Sequence, residues 1–211
     1  MKNKIESPKI SIPLLEPQDV YSLESREEIC NKSIEDLTID NQEANRVSFD
    51  KVLFKNVVIT ESALREIELT DTIFEKCDLS NIDFSGSFIH RTEFRDCKLI
   101  GTDFSNSRLQ NVSFLNCLGD YSVFRFSKCK QVSFEECSLI SIDFYNSNLQ
   151  TVYFPHCNID QAMFTGSKLK GIDLSSCSFD GLHVEIEDLD GCMISAHHAS
   201  SFAGLMGLIV K

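Results

Sequence analysis

Cys77-Asp-Leu-Ser-Asn-Ile-Asp-Phe-Ser-Gly-Ser-Phe-Ile-His-Arg-Thr-Glu-Phe-Arg-Asp-Cys97 spans one full period of this chain. Within it Leu79, Phe84, Ile89 and Phe94 stand five residues apart. Followed in both directions, the same beat runs from Ile34 to Ile194, and 30 of its 33 positions are large and apolar. Thirteen of the 16 phenylalanines fall on it. A helix repeats its apolar positions near every 3.6 residues and a strand every second one. A period of five fits neither. It sends one bulky side chain inward on each side of a polygonal coil, with short strands joined by tight turns.

The longer period sets the number of sides. Cys77, Cys97, Cys117, Cys137, Cys157 and Cys177 recur every 20 residues. So do Phe54, Phe74, Phe94, Phe114, Phe134 and Phe154, and likewise Phe84, Phe104, Phe124, Phe144 and Phe164. Four pentads therefore make one coil, with two phenylalanine columns on opposite sides and aliphatic columns on the other two. The expected fold is an all-β solenoid, a quadrilateral β-helix with a solid core. Small residues two places before each central one, the cysteines above and Ser87, Ser107, Ser127, Ser147 and Ser167, form a second inward column. Eight coils fit between residues 34 and 194, and at about 4.8 Å per step they make a rod about 38 Å long. Residues 1–33 are then an N-terminal arm and cap, and residues 195–211 a C-terminal helix and tail, because the ends of a solenoid need covering.

Composition narrows the function. The chain has 211 residues and a net charge of -12, with 26 acids against 14 bases inside the repeat. Such a surface disfavours membranes and direct contact with nucleic acid and invites basic partners. The odd count of nine cysteines, six of them in one inward column, reads as buried thiols in a reducing cytoplasm rather than a disulfide framework. No apolar stretch reaches membrane-spanning length. No catalytic residue, cofactor site or metal site is expected. His197 and His198 lack a third ligand at suitable spacing, the carboxylates form columns rather than a pocket, and a filled core leaves no substrate cavity.

Three features are candidate contact sites. Asp83, Asp103 and Asp143 share one stack, interrupted by Val123. They read either as caps on nearby turn amides or as an outward acidic stripe. The beat falters at Gly119, beside Asp120, Tyr121, Arg125 and Phe126. Either these four form an exposed contact spot, or the coil bulges and Tyr121 or Phe126 folds back into the vacated slot. At the C-terminus a helix is expected over about residues 196–206. Phe202, Leu205, Met206, Leu208, Ile209 and Val210 exceed what a lid on one coil requires, which points to an end-to-end homodimer. Within the N-terminal region, residues 9–15 read as an extended arm and residues 17–30 as helix-tolerant, together covering the first coils.

The beat with Phe or Leu at its centre, in segments such as Cys77-Asp-Leu-Ser80, Ile82-Asp-Phe-Ser85 and Thr102-Asp-Phe-Ser105, resembles the pentapeptide repeat family over residues 34–194, which implies a right-handed quadrilateral β-helix. The acidic rod, the off-beat lead and the tail ending Leu205-Met-Gly-Leu-Ile-Val210 further resemble the Qnr type of quinolone-resistance protein, in particular the chromosomal ones of Gram-positive bacteria such as enterococci. That resemblance implies a dimeric, non-enzymatic rod that mimics DNA and binds DNA gyrase and topoisomerase IV, inhibiting them or protecting them from quinolones. The alternative is a structural or interaction solenoid for another basic protein. Two such rods end to end span about 75 Å, comparable to about 22 base pairs, but about -1.5 of charge per coil falls well short of duplex DNA. Shape and specific contacts must therefore contribute. The Gram-negative members carry loops that interrupt the coils and support protection, and no such insertion breaks the register here.

Overall fold

The computed structural model describes residues 5–203 and 209. The chain winds into a four-sided β-solenoid in which each residue pairs, in parallel, with the one 20 positions later. Phe88 pairs with Arg108, Arg108 with Lys128 and Lys128 with Asn148 on the first face. Phe74, Phe94, Phe114 and Phe134 align in the same way on the second. The third face begins as a short ladder, Thr38–Asp40 on Val58–Thr60, and beyond it the third and fourth faces make single bridges at the same interval, such as Lys98 to Leu118 and Asp83 to Asp103. The register reaches back beyond Ile34, because Glu28–Cys30 pairs with Ser48–Asp50. The unbroken run of coil corners from residue 26 to residue 171 makes about seven turns, against the eight expected.

The core follows the columns. Phe54, Phe74, Phe94, Phe114, Phe134 and Phe154 stack with their ring planes nearly parallel, neighbouring centroids 4.6 to 5.3 Å apart. The opposite column meets them edge-on, as where Phe114 and Phe124 lie 6.2 Å apart at 88°. The stack spacing is that of the rungs, so the backbone ladder sets the ring ladder. The second inward column does more than fill space. Cys117 Sγ donates to the Phe94 carbonyl at 3.4 Å, Cys157 to Phe134 at 3.2 Å and Ser147 Oγ to Phe124 at 2.6 Å. Small residues with a donor thus occupy the positions where a carbonyl inside the coil lacks a ladder partner. Burial pushes the Cys129 and Cys177 thiols up to about 12, which suits packing rather than reactivity.

The corners carry the conformational cost of the fold. Every fifth residue from Arg26 to Gly171 has positive φ, and 26 of these corner residues are not glycine. Asparagine and aspartate tolerate this region; most other side chains lose about 1 kcal/mol there. A corner amide that donates across the coils, as from Asn56 to the Glu75 carbonyl at 2.9 Å, offsets that loss. Thr151, at φ 59°, is the β-branched residue of the set. Thr151→Asn should therefore stabilise the protein by about 0.5–1 kcal/mol. A rise in the urea midpoint at unchanged slope is the expected reading, and a fall would show that Thr151 makes a contact worth more than its strain.

The N-terminal segment is a strap along one corner of the rod. Its short 3-10 turn, Ile12–Leu14, and the strand Glu16–Pro17, paired with Lys32–Ser33, replace the simple extended arm expected from sequence. Residues 17–30 hold no helix. The amide of Glu6 donates to Asn111 Oδ1 at 3.2 Å and that of Lys9 to Asp71 Oδ1 at 2.8 Å. From residue 6 to residue 17 the strap thus descends from the Asn111 coil to the Ser33 coil, four coils lower. Beneath it Arg91 grips Asp71 through two bonds, Nε to Oδ1 at 2.6 Å and Nη2 to Oδ2 at 2.8 Å.

Candidate partner-binding surface

The third and fourth faces carry the candidate residues, and their acids have local work to do. Each aspartate of the column turns one oxygen onto an amide two residues ahead: Asp83 onto Ser85 at 3.0 Å, Asp103 onto Ser105 at 2.7 Å and Asp143 onto Tyr145 at 2.9 Å. These are Asx turns that satisfy the corner backbone. The second oxygen of Asp83 takes Arg65 at 2.5 Å, and that of Asp143 takes Arg125 at 2.6 Å. Burial opposes the charge on Asp83, yet the hydrogen bonds from Ser85 and then from Arg65 outweigh it and hold this carboxyl below the usual range. The column is therefore a row of turn caps, two of them half-neutralised, with Asp103 the member that no arginine reaches. Asp120 ties successive coils together through Ser138 Oγ at 2.7 Å and the Ile140 amide at 2.9 Å.

The coil does not bulge at Gly119. Its amide keeps the ladder bond to the Ser138 carbonyl at 2.7 Å, and Leu118 still bridges Lys98 and Ser138. The vacated slot is taken by Leu139 of the next coil, whose Cδ2 would lie 3.0 Å from a Cβ at Gly119. Tyr121 and Phe126 consequently stay outside, 62% and 52% exposed. Both occupy left-handed corners, at φ 60° and 58°, one on either edge of the fourth face. Between them lie Val123 and Arg125. Phe126 meets Tyr145 of the next coil edge-on, with centroids 5.7 Å apart. Tyr145 and the exposed Leu118 belong to this neighbourhood and escaped the sequence reading. Comparing columns reveals Tyr145, which stands where other coils place Ser85 and Ser105.

At the C-terminus, a 3-10 turn over Ala196–His198 leads into a helix over Ala199–Ala203. Phe202 is partly buried and packs edge-on against Phe179, and the buried His198 ring stacks on the same Phe179 at 4.0 Å. Phe202 thus serves the lid of its own coil. Ile209 is 87% exposed, and Leu205, Met206, Leu208 and Val210 lie outside the described residues. No described helix is long and apolar enough to cross a membrane.

A family model described as "Pentapeptide repeat region" matches residues 47–124 and 87–164. The chain is 45% identical over 210 residues to the uncharacterized protein YisX of Bacillus subtilis (strain 168), covering 99% of both. Among solved structures it is similar to full-length QnrB1, a plasmid-mediated fluoroquinolone resistance protein, at 18% identity and TM-score 0.41, covering 92% of this chain and 100% of that one. It is also similar to the pentapeptide repeat protein Rfr23 from the cyanobacterium Cyanothece 51142, at 16% identity and TM-score 0.40, covering 46% of this chain and 64% of that one.

Proposed function

Because the chain belongs to the pentapeptide repeat family, we propose that it is a non-enzymatic DNA mimic that binds the type II topoisomerases DNA gyrase and topoisomerase IV, inhibiting them or protecting them from quinolones. The observation that carries this reading is the surface of the third and fourth faces. There an acidic, rigid rod presents Asp103 and Asp120 beside an exposed aromatic group, Tyr121, Phe126 and Tyr145. Acid attracts a basic groove over distance, and aromatic anchors supply affinity and position once the surfaces meet. The similarity of the repeat and tail to Qnr-type proteins supports the choice of partner. A homodimer through the C-terminal tail would double the rod and match a two-fold enzyme.

The test is a gyrase supercoiling and cleavage assay with the protein titrated in, with and without ciprofloxacin. Inhibition of supercoiling, or relief of drug-stabilised cleavage, is expected at micromolar protein or below. The triple variant Tyr121→Ser, Arg125→Ser and Phe126→Asn keeps the coil and should lose about tenfold or more in potency, as loss of a binding hot spot does. Equal potency would remove the aromatic group from the contact. No effect of the native protein on either enzyme would remove the topoisomerases. One observation favours the second reading, a rod for another basic protein: Arg65 and Arg125 already neutralise part of the aspartate column, so it is not a free row of phosphate-like charges.

A further inference from the structure

Between residues 34 and 194 ten of the 14 lysines and arginines lie within reach of an acid, among them Arg46 with Glu66, Lys98 with Asp78 and Lys168 with Asp188. In a chain with 32 acids this is the expected outcome. Three of the remaining four, Arg108, Lys128 and Lys130, lie side by side on adjacent rungs of the first face, where Arg108 pairs with Lys128 and Gln110 with Lys130. With Gln110, Asn148 and Gln150 they line a shallow groove of about 280 Å³. From Phe88 to Gln150 no outward position of this face holds an acid. Toward the N-terminal end the same face reverses sign, at Glu28, Asp50 and Glu68.

We propose that this face is self-complementary, and that a second copy of the chain docks on it side by side and antiparallel. A two-fold axis through the rung of Phe88, a side chain 37% exposed, sets that ring against its own copy. The parallel register then brings Glu68 opposite the partner copy's Arg108, each one rung from the axis. Asp50, two rungs away, meets Lys128 and Lys130, exchanging its own contact with Lys51 at 3.5 Å for stronger company. An isologous contact needs this reciprocity, residue to residue, and a face acidic in one half and basic in the other supplies it. The strap runs along the edge of the face and leaves Glu68, Phe88, Arg108, Lys128 and Lys130 exposed and Asp50 half-exposed. The acids of the opposite face stand at least about 10 Å further off, one sheet spacing. At 0.1 M salt that is about a Debye length, so the repulsion between two net-negative rods is damped while the facing pairs still attract. The face offers roughly 350 Å² per copy, under half of what a stable interface buries, so the contact is weak and reversible. It is independent of the topoisomerase reading and of the C-terminal tail.

Sedimentation equilibrium at about 100 µM protein tests it. In 0.1 M salt the native protein should show a mass-action increase in mass that disappears at 1 M. Arg108→Glu and Glu68→Arg, both at exposed positions and checked for folding by circular dichroism, should each weaken that step about tenfold or more by setting like charges opposite. An equimolar mixture of the two variants restores one native and one reversed pair across each contact, so association should return. Absence of the step in native protein, its persistence in Arg108→Glu or at 1 M salt, or failure of the mixture to associate each overturns the proposal. A dimer through the tail does not sense these charges: it stays unchanged in both variants and at 1 M salt, and the step tested is the further, salt-sensitive one above it.

Discussion

Phe114→Ala is expected to lower folding stability by about 3–5 kcal/mol, the range for truncating a buried aromatic. Phe114 is 1% exposed and touches four rings: Phe94 and Phe134 stacked at 4.8 and 4.6 Å, and Phe104 and Phe124 edge-on at 6.3 and 6.2 Å. The loss comes from transferred area, from broken ring contacts and from a cavity that the hydrogen-bonded coils cannot close, because their spacing is held at that of a parallel ladder. A solenoid couples each coil mainly to its neighbours, so a defect in the middle also weakens the link between the two halves. Urea unfolding should show a lower midpoint, with amide exchange accelerated most in the coils on either side. A loss below about 1 kcal/mol would mean that the rungs do collapse around a missing ring, against the rigidity expected of a close-packed interior.

Arg91→Ala should have the second largest effect, near or below the lower end of the about 3–5 kcal/mol seen when a buried ion pair loses one partner. The side chains of Asp71 and Arg91 are 5% and 18% exposed, so the arginine reaches the rim and some water replaces it. Left alone, Asp71 keeps the Lys9 amide but remains a largely buried charge. The strap should loosen, so proteolysis within residues 5–18 is expected to quicken while the coils stay intact. Arg91→Lys keeps the charge but loses the two-pronged geometry and should fall between. The pH dependence has a definite sign. Burial opposes the Asp71 charge, but the hydrogen bonds from Arg91 and Lys9 outweigh it and hold the carboxyl below its ordinary value. An aspartate depressed in the folded state stabilises above its unfolded value, about 4, and that contribution is lost as pH falls toward the folded value. Acid should therefore destabilise the native protein over this window more than Arg91→Ala. Equal acid sensitivity in the two would show that Asp71 does not hold the strap.

The linear sequence determined the coil. A five-residue beat with bulky centres and a 20-residue return leaves one arrangement in which every large side chain is buried and identical columns stack, so the four faces and both phenylalanine ladders are legible from Phe54 to Phe164. The exposed patch was legible in part, since Tyr121, Arg125 and Phe126 break the column pattern. Their exposure was not, because it depends on Leu139 filling the slot at Gly119 from a coil 20 residues away. The double use of Asp83 and Asp143, capping a turn and holding an arginine, also needed the structure, as Arg65 and Arg125 come from the preceding coil. Least visible was the strap. Asp71, Arg91 and Asn111 occupy corner positions that the repeat turns outward, and nothing in the beat marks them as covered. Asp71 and Asn111 are buried, and Arg91 is half-buried between them, because backbone amides 62 and 105 residues away settle on Asp71 and Asn111. A periodic sequence encodes contacts between equivalent positions of neighbouring coils; contacts made by a segment outside the period depend on where the folded rod places its corners.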